Sequence, residues 1–343
     1  MRTSTTSNLP PNPVVCVGAR TYVPQTDFLR LPDGWDLGEV TAVATDSQDR
    51  AFVFSRTDHP VLVFDHDGRF LHSWGDGTFA HPHGIFIGPD DAVYCTDDWD
   101  HTVRKFTPGG DLLLTLGQSG RPSDTGALSI DYRNIRRAGP PFNFPTNVAL
   151  SPEGDIYVTD GYGNARVHKF TPTGQLLYSW GEPGTGPGQF QVPHGIAVDR
   201  RGLLYVADRE NSRIQVFTPD GQFVELWTDV ARPCQVFIDG FDRVFVAELG
   251  YRAGMFAGNE PPSPQATGGR VSVFSTKGEL LARWGGGDRP CDPGDFFAPH
   301  DICVDSRGDV YVSEVTHTAG IQRGLIGPDS HTLQKFVSTS LVS

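Results

Sequence analysis

Six copies of one short pattern follow one another along the 343 residues. Each opens with an apolar strand, turns at Asp or Gly, and returns as a second apolar strand. They read VTAVATDSQDRAFVFSR (40–56), PHGIFIGPDDAVYCTDD (82–98), PTNVALSPEGDIYVTDG (145–161), PHGIAVDRRGLLYVADR (193–209), PCQVFIDGFDRVFVAEL (233–249) and PHDICVDSRGDVYVSEV (299–315). Five of the six run on clearly into a third and a fourth strand, as in HTVRKFTPGGDLLLTLG, with Thr-Pro-x-Gly or Asp-Gly turns between them. A unit this small cannot bury its apolar face alone, so the copies must stack on one another. Alternating apolar and polar residues joined by tight turns specify antiparallel hairpins, and no useful helical periodicity competes. The expected fold class is all-β: a six-bladed β-propeller, a ring that leaves few sheet edges open.

The sixth copy ends at TLQKFV (332–337) with only three strands. The stretch ARTYVPQTDFLRL (19–31) has strand character and is the expected fourth, tying the N-terminus to the C-terminus. Residues 1–13, MRTSTTSNLPPNP, are polar and Pro-rich and are expected to be disordered, leaving 14–343 as a single propeller domain. The 40 glycines and 27 prolines suit a chain made of turns. No apolar run approaches a membrane span, and no basic-then-apolar leader is visible. The net charge of −13 argues against binding a nucleic-acid backbone. Cys16, Cys95, Cys234, Cys291 and Cys303 are odd in number and follow no disulfide or zinc-finger spacing, which points to a reduced, cytoplasmic setting. A ring closes on itself, so a monomer is expected.

The first strand of a propeller blade lines the central channel. At one position of that strand the six copies carry Thr41, His83, Thr146, His194, Cys234 and His300. A single histidine there is ordinarily just a hydrogen-bonded channel residue. Histidines in alternate blades, a third of a turn apart, converge on the axis and form a metal site with an open position, the catalytic arrangement. Neutral imidazoles suit Zn²⁺, and also Fe²⁺, Co²⁺ and Cu²⁺. Cys234 reads either as a fourth ligand or as a small channel residue; the second is favoured, because an open site needs no thiolate. Where the second strands end stand Arg56, Tyr162 and Arg209. Two arginines near a metal bind a carboxylate through paired hydrogen bonds. A tyrosine beside a cation can have a lowered pKa and act as a base. The alternative for each is a surface ion pair or a packed ring. Long connections at 118–144, 252–268 and 317–331 interrupt the tight repeats, as binding loops or tolerated insertions do. Arg133, Arg136 and Arg137 in the first either cap the channel mouth over an anion or form a solvated charged loop.

With these residues in view, the chain resembles the peptidyl-α-hydroxyglycine α-amidating lyases, whose catalytic core is a six-bladed propeller of NHL-type repeats. The resemblance runs from about residue 36 to 336. It is carried by SRTDH (55–59), PHGI (82–85), PTNVALSPEGDIYVTDGYGNARVHKF (145–170), GQFQVPHGIAV (188–198), VADRENSRIQVF (206–217) and PHDI (299–302). It implies that His83, His194 and His300 hold a catalytic Zn²⁺ (or Fe²⁺) and that Tyr162 takes the proton from the substrate α-hydroxyl. It implies that Arg56 and Arg209 hold the substrate carboxylate. Asp301, with the backbone carbonyls of Val43 and Ile85, would bind a structural Ca²⁺. The implied reaction cleaves the C–N bond of an N-acyl-α-hydroxyglycine to a primary amide and glyoxylate, on a peptide or a small molecule bearing a carboxylate.

The chain also departs from that pattern. Animal members of the family carry disulfides where this chain has Asn143 with Gly163 and Tyr205 with Val216. Ala298 stands where they place a methionine near the metal. Glu248 and Glu314, expected near the channel mouth, and the 317–331 insertion lack an obvious counterpart. No oxygenase sequence is visible, so a separate hydroxylating oxygenase is expected to supply the substrate. Other classes remain open: a lyase of small ureido or N-acyl α-hydroxy acids, a metal-dependent hydrolase of lactones or esters, or a binding scaffold with vestigial histidines. The hydrolase would favour carboxylates and Asn around its metal, which the three histidines and lone Asp301 do not provide.

Overall fold

A computed structural model describes residues 15–17, 20–253 and 266–340. The 1–13 segment and most of the 252–268 connection lie outside the described residues. The rest forms six antiparallel sheets arranged as blades in a ring, the expected propeller. The innermost strands are Val40–Thr45, Pro82–Ile87, Pro145–Leu150, Pro193–Val198, Pro233–Ile238 and Pro299–Val304. We number the blades from one to six in that order.

Closure follows the sequence expectation and adds to it. The strand Arg20–Gln25 pairs antiparallel with Leu333–Ser340, placing Tyr22 opposite Ser338 and Val23 opposite Val337. A further strand, Val15–Val17, lies outside it, so blade six has five strands and the other blades four. Tyr22 is fully buried in the core shared by blades five and six.

Period-two patterning decides what fills the gaps between blades. Outer strands end in a tryptophan that packs on a phenylalanine of the next blade. Trp74 meets Phe106 at 5.0 Å, Trp180 meets Phe217 at 5.9 Å, Trp227 meets Phe274 at 5.7 Å and Trp284 meets Phe336 at 5.5 Å between ring centroids. Burying a phenylalanine side chain contributes about 1.5–3 kcal/mol, so these contacts are a main source of the ring's rigidity.

A second repeat feature corrects the sequence reading. Glu248 and Glu314 are not charges at the channel mouth; both are fully buried. Glu314 Oε2 accepts hydrogen bonds from Phe297 N (2.8 Å) and Ala298 N (3.1 Å). Glu248 accepts from Ala231 N (2.5 Å) and pairs with Arg270 at 2.8 Å. Asp97, Asp160 and Asp208 serve the same place, accepting from Ala80 N, Asn143 N and Gln191 N. Each carboxylate satisfies backbone donors that lead into the inner strand of its blade, donors that burial would otherwise leave unpaired.

Candidate functional site

The axial residues owe their aim to a backbone device present in every blade. Between the first and second strands the register slips by one residue, at Val40/Ala42, Pro82/Gly84, Pro145/Asn147, Pro193/Gly195, Pro233/Gln235 and Pro299/Asp301. The unpaired extra residue is Thr41, His83, Thr146, His194, Cys234 or His300. A β-bulge re-aims a side chain, and here it brings His83, His194 and His300 to one point.

The three imidazoles converge. Each offers a ring nitrogen, and these ligand atoms all lie within 4.8 Å of one another. The second nitrogen is tied down in each case. Nδ1 of His83 donates to Thr146 O (2.6 Å), Nδ1 of His194 to Cys234 O (2.9 Å) and Nδ1 of His300 to Thr41 O (2.7 Å). Each histidine thus leans on the axial carbonyl of the following blade. A proton held on Nδ1 leaves the Nε2 lone pair for a ligand, the usual outer support of a metal-binding histidine. Burial holds His83 and His194 well below the usual imidazole range and pushes His300 down to about 3, so all three are neutral donors. Gly84 and Gly195, which follow the first two histidines, make room for this: a Cβ there would stand 2.7 Å from Thr146 O and 2.4 Å from Cys234 O. The donor set fits a transition metal with an open position. Cys234 serves through its carbonyl, and its thiol is not part of the converging set.

Tyr162 stands over this cluster. Its hydroxyl lies 3.0 Å from His194 Nε2 and 3.2 Å from His83 Nε2. Arg209 Nη1 donates to the same oxygen at 3.2 Å. Burial raises the phenol pKa, with the Arg209 charge opposing it; the lowered value expected from the sequence is not found in the metal-free chain. Arg209 is itself buried and held by Glu210 (2.9 Å), which Arg232 of the next blade holds in turn (2.8 Å). Arg56 pairs with Glu39 at 2.5 Å, and Glu39 also accepts from Thr318 N at 2.7 Å. Sequence reasoning passed over Glu39 and the Glu210–Arg232 brace. An acidic residue next to Arg209 was the one visible signal.

Arg56, Tyr162, Arg209 and His300 line one cavity of about 440 Å³. The 118–144 connection reaches it through Ser129, Ile130 and Asp131, not through its arginines. Arg133 is paired with Asp131 at 2.6 Å and Arg137 with Asp124, which corrects the anion-capping alternative. The 317–331 insertion reaches it through Thr318, Ala319 and Arg323, and begins with a short helix, Thr316–Ala319, and a 3₁₀ turn, Ile321–Arg323. Ala298 is fully buried in the apolar cluster behind this wall.

The other end of the channel holds a cavity of about 120 Å³ lined by Val43, Ile85, Gln235 and Asp301 among apolar side chains. Asp301 Oδ1 accepts from Ile302 N (2.7 Å), whereas Oδ2 is buried without a hydrogen-bond partner. Burial pushes the carboxyl up to about 8. An orphaned buried carboxylate oxygen facing a small cavity is a fit for a hard cation such as Ca²⁺. A second acidic group, His66 with Asp305 and Asp309, is different. Lys335 Nζ already fills it, 3.1 Å from Asp309 and 3.2 Å from His66 Nε2.

Family comparison agrees with this architecture. An NHL-repeat model matches residues 142–170 and 190–217. The human NHL repeat-containing protein 3 is 32% identical over 311 residues, covering 83% of this chain and 81% of that protein. The chain belongs to the NHL-repeat family. Another NHL-family relative, the peptidyl-α-hydroxyglycine α-amidating lyase 1 of Drosophila melanogaster, is 28% identical over 351 residues, covering 90% of this chain and 61% of that protein. Among solved structures, a gluconolactonase from Xanthomonas campestris superposes with a TM-score of 0.59 at 14% identity, over 97% of this chain and 99% of that one; this likeness is one of fold. The disulfide positions of the resemblance are near neighbours here too. Gly163 N donates to Asn143 O at 2.9 Å, and Tyr205 stands opposite Val216 in adjacent strands. Among the described residues, Cys95, Cys234, Cys291 and Cys303 are free, and no helix is long and apolar enough to cross a membrane.

Proposed function

We propose that this protein is a metal-dependent carbon–nitrogen lyase that cleaves an N-acyl-α-hydroxyglycine to a primary amide and glyoxylate. One observation carries the reading: three converging imidazoles with fixed tautomers meet the hydroxyl of a buried tyrosine, and that tyrosine, His300 and two arginines line one cavity. The name of the Drosophila relative agrees with it.

His83, His194 and His300 would hold Zn²⁺ or Fe²⁺, which supplies Lewis acidity to the substrate hydroxyl. Arg56 and Arg209 bind the carboxylate, each kept in place by its own glutamate. Tyr162 accepts the hydroxyl proton, and the Arg209 N–H steadies the phenolate oxygen that must receive it. The C–N bonding pair leaves with the amide nitrogen, which takes up a proton, while the carbon becomes the aldehyde of glyoxylate. No electrons are exchanged with a redox cofactor. At the far end, Asp301 with the carbonyls of Val43 and Ile85 would hold a structural Ca²⁺. A separate hydroxylating oxygenase supplies the substrate, which is a peptide or a smaller acyl glycine.

The test is metal content by mass spectrometry beside glyoxylate release from N-acetyl-α-hydroxyglycine, for the wild type and His194→Ala. About one transition metal per chain, lost with activity in the variant, is expected. No transition metal in either protein after reloading would overturn the reading and leave a ring-shaped scaffold.

A further inference from the structure

The cavity has two chemically distinct ends. The deep end carries the arginines and the axial cluster. The mouth is marked by Trp99, which is 55% exposed although it lines the cavity. That exposure is unusual for an indole, and the ring is not loose. It stacks on His81 with 4.2 Å between centroids and 10° between planes. His81 Nδ1 is fixed by Asp98 Oδ1 at 2.6 Å, and Asp98 is buried. One face of the indole is therefore occupied by a tethered ring, and the other is open. The lining also includes Ile130, which is 43% exposed, the buried apolar Leu249, Val315 and Ala319, and the polar Ser129, Asp131 and Thr318. The 118–144 loop that presents Ile130 is pinned by Asn143 Nδ2, which donates to Ser123 O, Thr125 Oγ1 and Ala127 O.

We infer that Trp99 on its His81 support is a specificity platform for a flat, apolar acyl group, and that the preferred substrates are N-aroyl or aromatic N-acyl α-hydroxyglycines. The inference rests on the lyase reading for the carboxylate end: with that group on Arg56 and Arg209, the acyl substituent points outward to the mouth. A rigid aromatic face with one side open favours a stacked ring over an alkyl group of similar size. A cavity of about 440 Å³ holds the glycolate head and one ring. A longer chain has to leave past Trp99 into solvent.

The experiment uses the metal-loaded full chain and two ligands that lack the α-hydroxyl and so cannot be cleaved, N-benzoylglycine and N-acetylglycine. Their affinities are measured by calorimetry for the wild type, Trp99→Ala and Trp99→Phe. Glyoxylate release from N-benzoyl-α-hydroxyglycine is followed in parallel. The wild type should bind the benzoyl ligand about tenfold more tightly than the acetyl one. The preference should fall to within about twofold in Trp99→Ala and return in part in Trp99→Phe. Absence of preference in the wild type, or its survival in Trp99→Ala, overturns the platform. Glyoxylate release without the preference overturns the platform alone, and the preference without glyoxylate release overturns the lyase reading alone.

Discussion

Arg209 and Tyr162 form one unit: Nη1 donates to the phenol oxygen at 3.2 Å while the guanidinium carbon lies 5.1 Å from the ring centroid. The arginine thus touches both the atom that would take the proton and the ring that carries it. Burial alone would keep this phenol protonated, and Arg209 is the cation that counters it.

Tyr162→Phe removes the hydroxyl and keeps the ring. Glyoxylate release should fall about 10²–10⁴-fold, the usual worth of a positioned base. Metal content should stay near wild type, because no ligand is lost. Steady-state kinetics with metal analysis on the same preparation checks both.

Glu39 joins Arg56 to the 317–331 insertion. Glu39→Gln weakens the charge-assisted bond that holds the guanidinium. KM for a carboxylate substrate should rise about tenfold, and kcat should fall less. A change confined to kcat, with KM unmoved, would contradict this role.

Asp301 tests the far-end cation. Burial pushes the folded carboxyl up to about 8, above its unfolded value of about 3.9. Its contribution to stability is therefore fully present below about pH 4 and is lost as pH rises through 8, unless a cation takes the charge. Calcium should raise the melting temperature of the wild type, and its uptake at pH 7 should release close to one proton. Calorimetry in buffers of different ionisation enthalpy reads the proton, and Asp301→Asn should abolish both effects.

Asn143 holds the 118–144 loop through its side-chain amide nitrogen, whose two N–H groups are shared among three acceptors, where the animal lyases are expected to have a disulfide. Asn143→Ala should cost about 1–3 kcal/mol, the penalty for leaving buried partners unsatisfied. Denaturant unfolding measures the loss, and proteolysis should cut within 118–144 first.

The ring and the axial residues were legible because each is a local pattern copied six times, and the closing strand because the sixth copy lacks a fourth strand of its own. The two-residue period, the turns and the bulge position all recur at fixed offsets, so His83, His194 and His300 could be aligned without a structure. Features made by residues far apart in the chain were not legible. Glu39 braces Arg56 and Thr318, and Arg232 braces Glu210 from the next blade; no repeat offset encodes either pairing. Glu314 and Glu248 were misplaced because a carboxylate at the end of a strand reads as a solvent charge until its backbone donors are seen. Tyr162 was expected to be acidified by a neighbouring cation, but its burial, which has no local sequence signature, prevails in the metal-free chain.

The last blade borrows Arg20–Gln25 from the start of the chain and sets it against Leu333–Ser340. A chain still emerging from the ribosome can pleat its early blades one by one, but it cannot join its two ends until residue 333 and those after it are free. The three imidazoles sit on blades two, four and six, so their meeting point exists only once the ring has shut. The three-histidine site is therefore a product of ring closure: a chain stopped before residue 333 holds all three imidazoles without the geometry that brings them together.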